Sequence, residues 1–77
     1  MSQATQQDLA DHLARIEAHI LESEQAVTRQ QARVDGLERA GSDSSLSTSV
    51  LKNFKTALEL QYAYRARALR QLRHRLA

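Results

Sequence analysis

Apolar residues recur with a seven-residue period through the first half of the chain, and this repeat constrains the fold more than any other feature. The repeat alternates steps of four and three residues through Leu9, Leu13, Ile16, Ile20, Val27, Val34 and Leu37, with the polar Ser23 and Gln30 completing the register. Assigned as heptad positions a and d, these residues give the stripe by which one helix packs against another. The sequence therefore predicts a long helix with coiled-coil-like packing.

A short hinge follows this helix. Gly41 can adopt the left-handed conformation that closes a helix C-terminus, and Arg39 suits the negative end of the helix dipole. Three good N-cap residues come next, and the sequence does not choose among them: Asp43, Ser44 and Ser45. The predicted boundaries are helix 1 at about 5–40, the hinge at about 41–45 and helix 2 at about 46–76. Because the hinge is short, the helices must run antiparallel, and the predicted fold is an all-α hairpin.

The second half carries a less regular apolar stripe. It passes through Leu51, Phe54, Leu58, Tyr62, Arg65, Leu69, Leu72 and Leu76. Two consecutive steps of four residues form a stutter, which predicts locally straightened helices. Further residues widen the stripe beyond what one neighbouring helix can cover: Val50, Ala57, Gln61, Tyr64 and Ala68. The sequence therefore predicts that a second hairpin packs against the first.

Length and composition favour the same conclusion. A chain of 77 residues has room for one domain with a marginal core, and it has no cysteine for a disulfide framework. It contains no proline and is rich in residues of high helix propensity. We therefore expect a single helical-hairpin domain over residues 1–77, completed as a four-helix bundle by homodimerisation.

Two groups of residues are candidates for specific contacts. Those expected to lie off the intrachain seam, facing the second copy or another partner, are Ala10, Ala14, Leu21, Leu60, Tyr64 and Ala68. Those expected to form one polar layer in the middle of the seam are Ser23, Gln30, Gln61 and Arg65. A polar layer lowers stability but can fix the register of the helices.

The segment 30–44 and the apolar residues that follow it suggest a resemblance. The stretch from Gln30 to Ser44, followed by Leu51, Phe54 and Leu58, resembles a group of small uncharacterised bacterial helical-hairpin proteins. Since those proteins have no assigned activity, the resemblance implies a bacterial, cytoplasmic setting and transfers no site residues.

Charge is distributed unevenly along the chain. Residues 1–40 carry seven acidic and four basic side chains, and residues 41–77 carry two acidic and seven basic ones. Candidate contacts to nucleic acid or an acidic partner are Lys52, Lys55, Arg67, Arg70, Arg73 and Arg75. However, antiparallel packing should bring Asp8, Asp11 and Glu17 near the basic end of helix 2, and no aromatic residue lies among its last arginines. Nucleic-acid binding is therefore the alternative to protein binding.

No residue pattern indicates catalysis, a cofactor or a metal site. His12 and His19 lie about 10 Å apart along a helix, too far to share one metal ion within a chain. The serines cluster at the hinge, where helix capping accounts for them. The first residues lack a secretory signal, and no apolar run reaches the roughly 18 residues that span a bilayer. The sequence thus predicts a cytoplasmic, non-enzymatic scaffold, adaptor or chaperone-like module.

Overall fold

The computed structural model describes residues 5–76 as two helices that pack against each other. Helix α1 spans Gln6–Arg39 and helix α2 spans Ser45–Leu76. The predicted all-helical hairpin is confirmed, and α2 begins one residue before its predicted start. Leu76 ends α2, but its side chain lies outside what the structure describes, as do residues 1–4 and 77.

Thr5 and Asp8 form a capping box at the start of α1. The Thr5 hydroxyl oxygen accepts a hydrogen bond from the Asp8 backbone N–H, and the Thr5 N–H donates to an Asp8 carboxylate oxygen, both over 3.1 Å. These bonds satisfy backbone donors that a helix start leaves without partners. The bond from the Thr5 N–H, followed by that with the Thr5 hydroxyl, lowers the pKa of Asp8. Asp8 thus has a local structural role.

The end of α1 is a Schellman motif built on Gly41. Gly41 has a positive φ of 70°. Its N–H donates to the Glu38 carbonyl over 3.0 Å, and the Ser42 N–H donates to the Leu37 carbonyl over 2.9 Å. This pair of bonds needs a left-handed residue at the position of Gly41, which glycine adopts without a Cβ penalty. The expected helix terminator is therefore present.

Ser44 and Asp43 share the capping of α2. The Ser44 carbonyl accepts a hydrogen bond from the Thr48 N–H over 2.8 Å, which places Ser44 at the N-cap position. One Asp43 carboxylate oxygen accepts from the Ser45 hydroxyl over 2.6 Å and from the Ser45 N–H over 2.9 Å. These two bonds lower the pKa of Asp43. Asp43, Ser44 and Ser45, the three alternatives for the N-cap of helix 2, thus all take part in its capping.

The seam between the helices follows the heptad repeat of α1. All nine predicted a and d positions of α1 are buried or half-buried. The core towards the open end of the hairpin consists of Ile16, Ile20 and Ala68, with Leu13, Leu58 and Tyr62 packed against it. Towards the hinge, Val34 and Leu51 are buried. The repeat therefore predicts the inner face of α1 correctly.

The inner face of α2 differs from its predicted stripe at Leu69, which was expected in the seam. Buried and half-buried residues continue from Leu58 through Gln61, Arg65 and Ala68 to Leu72, in steps of three and four without interruption. Ala68 is only 4% exposed, whereas its neighbour Leu69 lies at the flank of the seam and is 37% exposed. The isoleucines of α1 fill the space opposite Ala68. A small side chain here allows the helices to approach closely.

The hairpin is a single layer of helices, so both of its broad faces are uncovered. Its Cα atoms extend over 57 × 22 × 14 Å. The accessible surface is 5945 Å², against about 4,700 Å² expected from size scaling for a compact protein of 8.7 kDa. Each chain thus exposes about 1,200 Å² more than a compact protein of its size.

Candidate interaction surface

The two broad faces of the hairpin are distinguished by the residues that meet across the seam. On one face, the Tyr62 hydroxyl donates a hydrogen bond to a Glu24 carboxylate oxygen over 2.6 Å. On the other face, His12 of α1 and Tyr64 of α2 line the same depression. We call these the Tyr62 face and the groove face.

Two open depressions follow each other along the groove face. The one towards the open end is lined by His12, Ile16, Tyr64, Arg67, Ala68 and Gln71. The one nearer the middle is lined by Glu22, Ser23, Ala26, Arg29, Phe54 and Ala57. His12 and Ala26 are two heptads apart on α1, and Ala57 and Tyr64 are one heptad apart on α2, so both depressions lie on the same face. They lie one after the other along the length of the hairpin.

Large apolar side chains of α2 are exposed along this side of the hairpin. Leu60 is 53% exposed and Tyr64 is 52% exposed, and Phe54 keeps more than a third of its surface in solvent. Leu46 is 79% exposed and lies two heptads before Leu60, so it projects on the same side of α2. Leu46 was missing from the predicted contact residues, although its spacing from Leu60 was a signal that could have found it. An apolar strip therefore runs along α2.

The six predicted interface residues do not share one surface. Tyr64 is exposed and lines the groove-face depression, and the exposed Leu60 precedes it by four residues on the same side of α2. Leu21 is also exposed, but it precedes Glu24 by three residues and so lies on the Tyr62 side of α1. Ala10 and Ala14 are exposed and lie on that same side by their heptad positions. The expected position of Ala68 off the seam is wrong, because it is buried against Ile16 and Ile20.

The four predicted polar seam residues are half-buried, but they do not form one layer. Gln30 Nε2 donates to the Ser47 carbonyl over 2.9 Å, about four helical turns of α2 from Gln61. Gln61 Oε1 is buried without a hydrogen-bond partner among residues 5–76. Ser23 lines the middle depression. The expected single layer is therefore wrong.

Arg65 and Tyr62 form a polar cluster with Glu24 at the edge of the seam. The Arg65 guanidinium carbon lies 5.1 Å from the centre of the Tyr62 ring, a cation–π distance. The hydrogen bond to Glu24, with smaller contributions from burial and the charge of Glu24, raises the pKa of Tyr62. A raised folded-state pKa means that the bond stabilises the fold at neutral pH and is lost as pH rises through that pKa. The cluster links the two helices at one level.

The predicted basic contact residues are all exposed, but they point in several directions. This group is Lys52, Lys55, Arg67, Arg70, Arg73 and Arg75. Arg67 lines the groove-face depression beside Tyr64, whereas Lys52 and Lys55 line a separate depression with Glu59. Meanwhile Asp8 and Asp11 accept hydrogen bonds within α1, from Thr5 and from Gln7. These two carboxylates are thus engaged in their own helix.

Within residues 5–76 no three side chains of the types that bind metal ions come together. In the same residues neither helix has a segment long and apolar enough to cross a membrane. By its fold the chain is a two-helix antiparallel hairpin with two open depressions on one face. It matches no protein-family model, and comparisons with curated proteins and with solved structures found no match.

Proposed function

We propose that this chain is a non-enzymatic protein-interaction module, a cytoplasmic scaffold, adaptor or chaperone-like hairpin, that works as a homodimeric four-helix bundle. The observation that carries the proposal is the half-exposure of Leu60 and of Tyr64, which lines an open depression on the groove face. Large apolar side chains grouped on one face of a small protein favour contact with another protein surface. In a bundle, such a face packs against a second pair of helices.

The exposed area of the chain is large enough for a protein interface on one face. The chain exposes about 1,200 Å² more than a compact protein of equal mass. A standard interface removes roughly 800 Å² from each partner, so one partner on one face would be enough. The intrachain core supports the same proposal, because only five apolar side chains of residues 5–75 are buried.

The double substitution Leu60→Glu/Tyr64→Glu tests the proposal. Burying each large apolar side chain contributes about 1.5–3 kcal/mol, and glutamate would bring an unpaired charge into the interface. We expect the dimer to weaken at least about a hundredfold while the hairpin keeps its helical content. Sedimentation equilibrium, with circular dichroism on the same samples, measures both quantities.

Leu21→Glu is the matched control, since Leu21 is exposed to the same degree but lies towards the Tyr62 face. It should leave the dimer intact. If Leu21→Glu dissociates the dimer and the double variant does not, the Tyr62 face is the contact surface. A wild-type chain that stays monomeric at millimolar concentration would refute the homodimer.

Nucleic-acid binding is the second candidate. It is favoured by the exposure of Arg70 and Arg73 and by the engagement of Asp11 within α1, which leaves this acid less free to neutralise the basic end of α2. Fluorescence anisotropy with duplex and single-stranded oligonucleotides over a salt series distinguishes the two functions. Binding that persists at physiological salt and falls steeply with added salt would favour this candidate.

A further inference from the structure

Four exposed charged residues of α1 form a row of alternating sign: Asp8, Arg15, Glu22 and Arg29. Each is seven residues from the next, so on a helix packed with a heptad repeat they lie above one another. Glu22 and Arg29 line the middle depression, which places the row at the edge of the groove face. We call these four residues the charge row.

The charge row is complementary to itself in reverse order. If a second α1 runs antiparallel across the groove face, Asp8 can face Arg29 of the second copy while Arg15 faces its Glu22. Both pairs then occur twice, once from each copy, as the symmetry of a two-fold dimer requires. A parallel copy in register would place Asp8 against Asp8 and Arg15 against Arg15, which is unfavourable.

Two other arrangements fit the charges less well. If α1 packed against α2 of the second copy at the same level, Arg15 would meet Arg67, which lines the depression beside Ile16. These charges are alike. A second possibility is an antiparallel copy whose two-fold axis crosses α1 one heptad nearer the hinge. In that register Glu22 would still face Arg29, but Arg15 would face Gly36. Only one register pairs all four residues.

Building on the homodimer proposed above, we infer that the groove face receives a second copy of this chain lying antiparallel, with the two-fold axis crossing α1 between Ala18 and His19. The charge row selects this orientation and register. Since Ile16 and Ile20 pack against Ala68, the axis passes α2 within about one turn of Tyr64, which the second copy covers. The hinge ends project beyond the overlap, so Leu46 stays exposed.

Charge exchange within the row tests the orientation. Arg15→Glu makes two of the four cross-copy pairs repulsive and should weaken the dimer at least tenfold at low salt. Adding Glu22→Arg restores opposite charges and should bring the affinity back to within about threefold of wild type. Glu17→Arg is the control, because Glu17 lies one heptad before Glu24 on the Tyr62 face. It should not change the affinity, and added salt should reduce the effect of Arg15→Glu.

Disulfide trapping tests the register independently of affinity. The chain contains no cysteine, so one introduced thiol reports one contact. His19→Cys places thiols of the two copies next to each other across the axis, and we expect it to form a covalent dimer under mild oxidation. Ala26→Cys lies on the same face but away from the axis, and it should form little.

The outcomes separate this inference from the proposed homodimer. A monomeric wild type refutes both. A dimer that responds to Leu60→Glu/Tyr64→Glu but not to Arg15→Glu keeps the homodimer and overturns the role of the charge row. Faster cross-linking of Ala26→Cys than of His19→Cys overturns the register, because it places the axis more than half a heptad nearer the hinge. A double exchange that remains as weak as Arg15→Glu contradicts the pairing itself.

Discussion

At the scale of single residues, Gln61 is the least favourable side chain in the seam. Its Oε1 is buried and has no hydrogen-bond partner in the described chain. An unsatisfied buried polar group typically destabilises a fold by about 1–3 kcal/mol, and an apolar side chain of similar size removes that penalty. We expect Gln61→Leu to raise the free energy of unfolding by about 1 kcal/mol. Urea titration followed by circular dichroism at fixed protein concentration measures this change.

Gln30→Leu is the matched control for that substitution. Gln30 is also half-buried in the seam, but its amide donates to the Ser47 carbonyl, so leucine removes a bond that is made. Its free energy of unfolding should fall or stay unchanged. If both substitutions stabilise the protein equally, added apolar area explains the gain and the missing partner of Gln61 does not.

The polar residues illustrate what single positions can and cannot predict. Heptad spacing placed Ser23 and Gln30 in the seam, and their half-burial agrees with it. Their partners were not predictable in the same way, because a partner depends on the axial offset and rotation of the facing helix. A long glutamine side chain can also reach a carbonyl on another turn, as Gln30 does at Ser47.

At the scale of the elements, Gly41 determines where α1 ends. It adopts a φ of 70°, and a Cβ added there would meet no atom within 4 Å. Alanine would therefore be disfavoured only by the left-handed backbone, which typically costs about 1 kcal/mol. We expect Gly41→Ala to lower the free energy of unfolding by about this amount, measured by urea titration.

Gly36→Ala provides a control of opposite sign. Gly36 lies inside α1, and a Cβ added there would also meet no atom within 4 Å. Glycine in a helix interior is less favourable than alanine by roughly 0.5–1 kcal/mol, so this substitution should stabilise the protein. A loss of stability in both variants would mean that crowding, and not backbone conformation, sets the effect at Gly41.

The two helices differ in how well sequence predicts their inner faces. In α1 the apolar positions leave one register, and every predicted seam position is at least half-buried. In α2, apolar residues stand side by side at Ala68 and Leu69, and the local sequence favours the larger one. The side chains of α1 determine which of the two is buried, because Ile16 and Ile20 fill the space opposite and leave room only for alanine. Such information is absent from α2 itself.

At the scale of the whole molecule, the sequence predicts that apolar surface remains, but it does not predict where that surface lies. Leu21 and Leu60 were expected on one interface, yet they lie towards opposite faces of the hairpin. Their relative position depends on which flanks of the two helices meet. The flanks are known only from the folded hairpin, in which Glu24 bonds Tyr62 on one face and His12 and Tyr64 line one depression on the other. The groove face is thus a property of the folded hairpin.

If the second copy supplies much of the stability, the thermal midpoint must depend on protein concentration. Unfolding a dimer to two chains shifts its free energy by about 1.4 kcal/mol for each tenfold change in concentration. Two chains of 77 residues have an unfolding entropy of about 0.32 kcal/mol/K at roughly 2.1 cal/mol/K per residue. We therefore expect the midpoint to rise by about 4 °C per tenfold increase, followed by circular dichroism. Leu60→Glu/Tyr64→Glu should melt lower and show no such dependence. A wild-type midpoint that is constant over a hundredfold range would mean that the hairpin is stable alone and that its open face is not covered by a second copy.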